Sequence, residues 1–336
     1  MLGARGYFPS VDLQSQVLEL QSIISKMSLD VFCMAALPEF GVPWREVAKS
    51  VRNARLPMHP SSVARVLCMH VSKSLNAEEI EDIVAKLRLK LIATQTRMWH
   101  VIRLFERTTE ESVTVGMRAL PGRVTQALRR NKKGMRPDVQ AMLLDDLMYL
   151  SIQLISEHKE SSILYIVTPI TEPVILVSST NGSEMLKACV DSLGYKKYAN
   201  ANLYGHDIKS LLQINNSWNT KADHLADIPE YDPVPVITKN GIDYTNRKYD
   251  EDYVDSLLGP NPPLLTDLKF KTTKMFFDKN LLNKNIKLSV NIKSDNISKT
   301  LKSWVSKCAI APTSDLFHIF REIRSNKITY TKEDSD

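Results

Sequence analysis

The chain has 336 residues, of which 43% are hydrophobic and 24% charged, with a formal net charge of +6. This length allows two cores and this composition is that of a folded rather than a disordered protein. The densest apolar stretch, Ile163–Val177, is interrupted by Pro169, Glu172 and Pro173, so no membrane span is expected.

The opening residues, Met1–Ser10, show no long apolar core followed by small residues, so a signal peptide is not expected. Leu13, Val17, Leu20, Ile23 and Ile24 mark one face of a possible helix within Asp12–Lys26. Residues 1–28 are read as an N-terminal extension. From 29 to 110 the pattern is helical. Ser28 or Asp30 can cap Val31–Leu37 by accepting from open backbone amides. Pro43 opens Trp44–Arg52, Pro60 opens Val63–Lys73, and Asn76 caps Ala77–Arg88 with Glu78 and Glu79 in its first turn. Leu91–Glu106 is read as a last helix with Ile92, Met98 or Trp99, Ile102 and Phe105 on one face.

Residues 111–140 are read as a basic connector, in which Arg123–Arg130 can form a helix. A mixed α/β region follows over 141–222. Leu143–Leu150 and Ser151–Ser156 are read as a helix end and a strand, or as one long strand, followed by strands Ile163–Val167 and Val174–Ser178 and helices Ser183–Leu193 and Gly205–Leu212. Residues 223–263 form an acidic, Pro-punctuated linker: nine acids face three bases between Asp223 and Gly259, and one helix is expected at Asp250–Leu258. The C-terminal region 264–336 reads as strands Asp267–Lys274 and Lys284–Lys293, a helix Ile297–Cys308, a loop Ala309–Ser314 and a strand Lys327–Thr331. Its strands alternate apolar and polar residues with lysines outward, the pattern of a half-buried sheet with a free edge. The expected class is α+β.

The charge is unevenly placed. Residues 1–140 hold 21 Lys or Arg against 13 Asp or Glu, whereas residues 141–336 hold 23 against 25. A polyanionic partner is therefore expected for the first part. Its clearest signal is the run Arg118, Arg123, Arg129, Arg130, Lys132, Lys133 and Arg136, seven cations in nineteen residues without an acid. Such a run repels itself unless anions neutralise it, and Arg-rich runs suit bidentate phosphate contact. A solvated basic loop is the competing reading. A second set is Arg45, Lys49, Arg52 and Arg55. The first three stand at i, i+4 and i+7, on one helix face.

Signals for catalysis are absent from the sequence: no Gly-rich phosphate loop, no G-x-S-x-G, no H-E-x-x-H and no kinase set. The adjacent Asp145 and Asp146 are read as surface residues. Cys33, Cys68, Cys189 and Cys308 stand apart, so neither a zinc site nor a disulfide framework is expected, and a reducing compartment is. No enzyme activity and no cofactor or metal is expected. Trp44, Trp99, Trp218 and Trp304 are read as core or interface anchors rather than base-stacking platforms.

Taken in order, several segments resemble the centromere protein N family, subunits of the inner kinetochore. These are Asp82-Ile83-Val84 with Trp99, Ile102 and Phe105; Leu164–Val167, Val174–Ser179 and Met185–Leu193; Tyr253–Leu258, Pro262-Pro263 and Leu268–Lys271; and Asn326-Lys327-Ile328-Thr329-Tyr330. The resemblance implies a pyrin-like (death-fold) helical domain, a mixed α/β domain and a C-terminal sheet that pairs with centromere protein L. It implies binding of double-stranded DNA or a centromeric nucleosome, association with other inner-kinetochore subunits, and a nuclear, centromeric location. The chain departs from the family at Asp30–Phe40. That stretch has no Lys or Arg, where the family carries basic residues that meet the centromeric histone. On the sheet, Ile286, Leu288, Val290 and Ile292 are the candidate interface strand, with Phe317 and Phe320 adding apolar area around it. The alternative is a DNA-binding regulator with an effector pocket near Ile163–Leu193.

Overall fold

The computed structural model describes residues 13–94, 97–108, 113–131, 134–156, 161–217, 230–233, 235–239, 241–243, 247–278, 281–321 and 323–330. Over these the protein is α+β.

The helical start comprises α1 (Leu13–Ser25), α2 (Leu29–Val31), a π-turn at Phe32–Ala36, a 3-10 turn at Leu37–Phe40, α3 (Trp44–Asn53), α4 (Pro60–Ser74) and α5 (Ala77–Thr94). The expected caps form. The Ser28 hydroxyl accepts from the Val31 amide at 3.3 Å. Asn76 and Glu79 exchange two bonds of 2.9 Å, each side chain accepting from the other's amide, which satisfies two open donors at the start of α5. Pro60 stands in the first turn of α4, where its missing N–H costs nothing.

Residues 13–28 are not a loose extension; residues 1–12 lie outside the described ones. Leu20, Ile23, Ile24 and Met27 are buried in one core with Phe32, Val51, Val63, Leu67, Ile80, Val84 and Leu87. Helix α1 packs on α4 and α5, whose apolar faces leave a groove that only a third amphipathic helix fills.

The second departure is larger. Helix α5 ends at Thr94, and the expected helix over 91–106 gives way to a strand, β1 (Trp99–Arg107). Trp99, Val101, Ile102 and Leu104 are buried there. The i, i+3 spacing of Trp99, Ile102 and Phe105 imitates a helix face, but Phe105 is exposed while Val101 and Leu104 are inside.

The supposed connector is α6 (Val113–Asn131) followed by β2 (Arg136–Leu144). Leu120, Val124 and Leu128 form its buried stripe, and Pro121 is carried inside the helix, with the Thr125 hydroxyl donating to its carbonyl at 2.8 Å. Leu143–Ser156 is not one long strand. Leu143 and Leu144 end β2, the chain turns at Asp145-Asp146, and β3 (Leu147–Ile155) pairs back on β2 as a hairpin. Asp145 adopts φ 53°, a left-handed conformation that Asp tolerates.

Next come β4 (Leu164–Pro169), β5 (Val174–Val177), α7 (Ser183–Ser192), β6 (Tyr195–Gly205), α8 (Ile208–Ser217), and the short pair β7 (Val236–Thr238) and β8 (Gly241–Asp243). The strands β4 and β5 and helix α7 lie where the sequence places them. Strand β6 is an addition, and the Gly205 helix begins at Ile208 instead. The chain ends with α9 (Arg247–Leu258), β9 (Asp267–Asp278), β10 (Leu281–Lys293), α10 (Ile297–Ser306), α11 (Asp315–Arg321) and β11 (Lys327–Tyr330).

Strands β2, β3 and β4 pair antiparallel in that order, β5, β1 and β6 do likewise, and β10-β9-β11 form a three-stranded sheet. The chain separates into two compact units. One comprises Met1–Thr96, Glu110–Glu172 and Glu184–Leu193, and the other Arg97–Thr109, Pro173–Ser183 and Gly194–Asp336. In the first, α5 and α6 pack against the β2–β3 hairpin. In the second, β1 pairs with both β5 and β6, the latter through an irregularity between His100 and Ile102. There α9 packs on α10 and α11, burying Tyr253, Val254, Leu257, Leu301, Val305, Phe317 and Phe320.

Candidate nucleic-acid interface

Helix α3 owes its start to Pro43, which sits in extended conformation at the cap position, and to Trp44, whose ring meets Phe32 edge-on at 6.3 Å between centroids. Trp44 is thus part of the core packing. Val47, Ala48 and Val51 face inward. Arg45, Lys49 and Arg52 follow one another along the opposite, exposed face. Arg55 is exposed just past the helix, at φ 54°, where its amide donates to the Arg52 carbonyl at 2.9 Å. Glu46 is the single carboxylate on α3.

Helix α6 is built alike. Leu120, Val124 and Leu128 turn inward at i, i+4 and i+8. Arg118 and Arg129, three turns apart, share the opposite side with Arg130, and all three are exposed. Arg123 is half-buried on the flank of that face. The sequence Val113–Asn131 contains no Asp or Glu. Arg136 is exposed at the first position of β2. Lys132 and Lys133 lie outside the described residues.

Three carboxylates of the first unit pair with cations away from these faces. Glu39 holds Lys90 at 2.5 Å and Lys86 at 3.7 Å, and Arg88 pairs with Glu19 and, at 3.9 Å, with Asp138. Among the described residues no carboxylate pairs with Arg45, Lys49, Arg52, Arg55, Arg118, Arg129, Arg130 or Arg136. Two helices of one unit therefore present unneutralised cations to solvent. Such faces attract phosphates by counterion release.

In the second unit, β10 is an edge strand. Ile292 is buried and Val290 half-buried, alternating with exposed Lys287, Ser289, Asn291 and Lys293. The side chains of Ile286 and Leu288 lie outside the described ones. Phe317 and Phe320 do not flank an open edge. They are 1% and 2% exposed, because α11 turns its apolar face into the core beside α9. They support the domain from within rather than offer surface to a partner.

Among the described residues no group of His, Cys, Asp and Glu is arranged to hold a metal ion, and no helix is long and apolar enough to cross a membrane. Asp145 and Asp146 are exposed at the hairpin turn. No family model and no curated protein matches this chain.

Proposed function

We propose that the chain is a structural, non-catalytic subunit of the inner kinetochore, of the centromere protein N type. In this reading the helical start is a pyrin-like domain. The first unit binds duplex DNA or a nucleosome through α3 and α6, and the edge of β10 accepts a strand from centromere protein L, in the nucleus at centromeres. The observation that carries the DNA-binding part is the exposed, acid-free face of α6 with Arg118, Arg129 and Arg130. The ion pairs of that unit join Glu19, Glu39 and Asp138 to Lys86, Arg88 and Lys90, not to these arginines. Pairing at β10 is supported by its free backbone edge and by the resemblance of the segments around β9 and β11 to that family.

Two measurements test this. Replacing Arg118, Arg129 and Arg130 by Gln should lower the slope of log affinity for duplex DNA against log salt by about three, near 0.9 for each phosphate contact. An unchanged slope would make the face a solvated helix surface. Affinity purification of the tagged chain from dividing cells should recover inner-kinetochore subunits with centromere protein L at one-to-one stoichiometry. Their absence would dismiss the kinetochore assignment while leaving the DNA measurement standing.

A further inference from the structure

The three-stranded sheet has one face turned into its own domain and one turned out. Leu268, Phe270 and Ile292 are buried on the inner face. The residues between them point the other way. In register they place Lys271 of β9 between Ser289 of β10 and Thr329 of β11, and Lys269 between Asn291 and Lys327. Lys287 stands opposite Thr273, and Lys293 opposite Asp267. Lys271, Lys287, Lys293 and Lys327 are exposed, and Lys269 is half-buried. At ordinary strand spacings the five lysines fall within a patch roughly 10 Å by 20 Å.

Edge protection explains only part of this. Lysines on β10 and β11 discourage pairing of unwanted strands. Lys269 and Lys271, however, sit on β9, the central strand, which has no edge to protect. Lys269 moreover lies directly opposite Lys327 in the parallel register. Like charges directly opposite across a sheet are unfavourable, and Lys269, Lys271, Lys287 and Lys327 lie within or near a Debye length, about 8 Å, of one another along the face, while Lys293 has Asp267 opposite it. An anion laid across the strands removes that cost.

We infer that the outward face of β10-β9-β11 binds the phosphate backbone of a duplex nucleic acid. Lysines interleaved with Ser289, Asn291 and Thr329 are the donor types that hold phosphate and sugar oxygens. An acidic protein segment that paired as a strand would take the edge, not the face. This surface belongs to the second unit, whereas α3 and α6 belong to the first, and it is tested independently of their DNA binding.

The test uses the full chain. Lysine acetylation is mapped by mass spectrometry with random-sequence duplex DNA, duplex RNA or poly-glutamate present. Lys299 and Lys307, exposed on and after α10, serve as references. Protection of Lys271, Lys287, Lys293 and Lys327 by either duplex supports the inference and identifies its source. Protection by poly-glutamate alone, or by none of the three, overturns it. In parallel, Lys271→Gln, Lys287→Gln and Lys293→Gln together should lower the salt slope for the protecting duplex by about three. The loss should be the same in wild-type and in the α6 arginine variant, with an unchanged circular dichroism spectrum. An unchanged slope in both backgrounds overturns the inference even if the α6 variant alone has lost binding.

Discussion

The side chain of Asn326 accepts the backbone amide of Tyr204 at 2.7 Å, joining residues 122 positions apart. Its amide nitrogen donates to the Asp267 carbonyl at 2.6 Å. Its own backbone N–H donates to the Asn202 carbonyl at 3.0 Å, and its carbonyl accepts from Lys269 at 2.7 Å. Asn326 is 1% exposed. One buried side chain thus fixes β6 against the start of both β9 and β11. Asn326→Ala should leave a donor and an acceptor unmet and cost about 1–3 kcal/mol for each group left buried. Asn326→Asp should cost more, since a carboxylate cannot donate to Asp267. Chemical denaturation of both variants against wild-type checks this; equal stabilities would show that water replaces the amide.

A second prediction concerns acid. The hydrogen bond from Lys90 holds the Glu39 carboxyl below its usual range, with burial opposing and the charges of Lys90 and Lys86 assisting. A lowered folded pKa stabilises above the unfolded value, and the contribution is lost as pH falls through the folded one. Glu39→Gln should therefore cost about 0.5–1 kcal/mol at neutral pH. The gap between wild-type and variant should close as pH drops below the ordinary Glu range. Thermal midpoints measured over that range give the answer, and a gap independent of pH would assign the loss to packing.

The cysteines should separate cleanly in alkylation. Burial pushes the thiols of Cys68 and Cys189 up to about 12, while Cys308 is exposed. The thiolate is the reactive form. Cys308 should react with a maleimide in the native chain, and Cys68 and Cys189 only after denaturant is added. Peptide mapping after a timed pulse distinguishes them. Rapid native labelling of Cys189 would mean that α7 opens locally.

Phe320→Ala should act on stability and not selectively on a partner. Removal of a fully buried Phe costs about 3–5 kcal/mol. The variant should lower the thermal midpoint of the free chain, and any loss of partner binding should follow the unfolded fraction. A variant with wild-type stability and no partner binding would return Phe320 to the interface.

Elements specified by neighbours in the chain were legible. Ser28 and Asn76 cap helices through bonds three residues long, and the β9–β10 hairpin and helix α10 follow from alternation and period. The partition of charge, and the cations of α3 and α6, are properties of composition and needed no coordinates. The Trp99–Arg107 segment was not legible. Its apolar residues satisfy both a helical and a strand period, and what decides is pairing with Val174–Val177 and Tyr195–Gly205, about seventy to a hundred residues away. Helix α1 likewise became core only because α4 and α5 leave it an apolar groove. The burial of Phe317 and Phe320, and the opposition of Lys269 to Lys327, depend in the same way on which strands and helices meet. Local hydrogen bonds and side-chain periods are written in consecutive residues. Pairing and burial are energies between distant segments, and they exist only once the chain has brought those segments together.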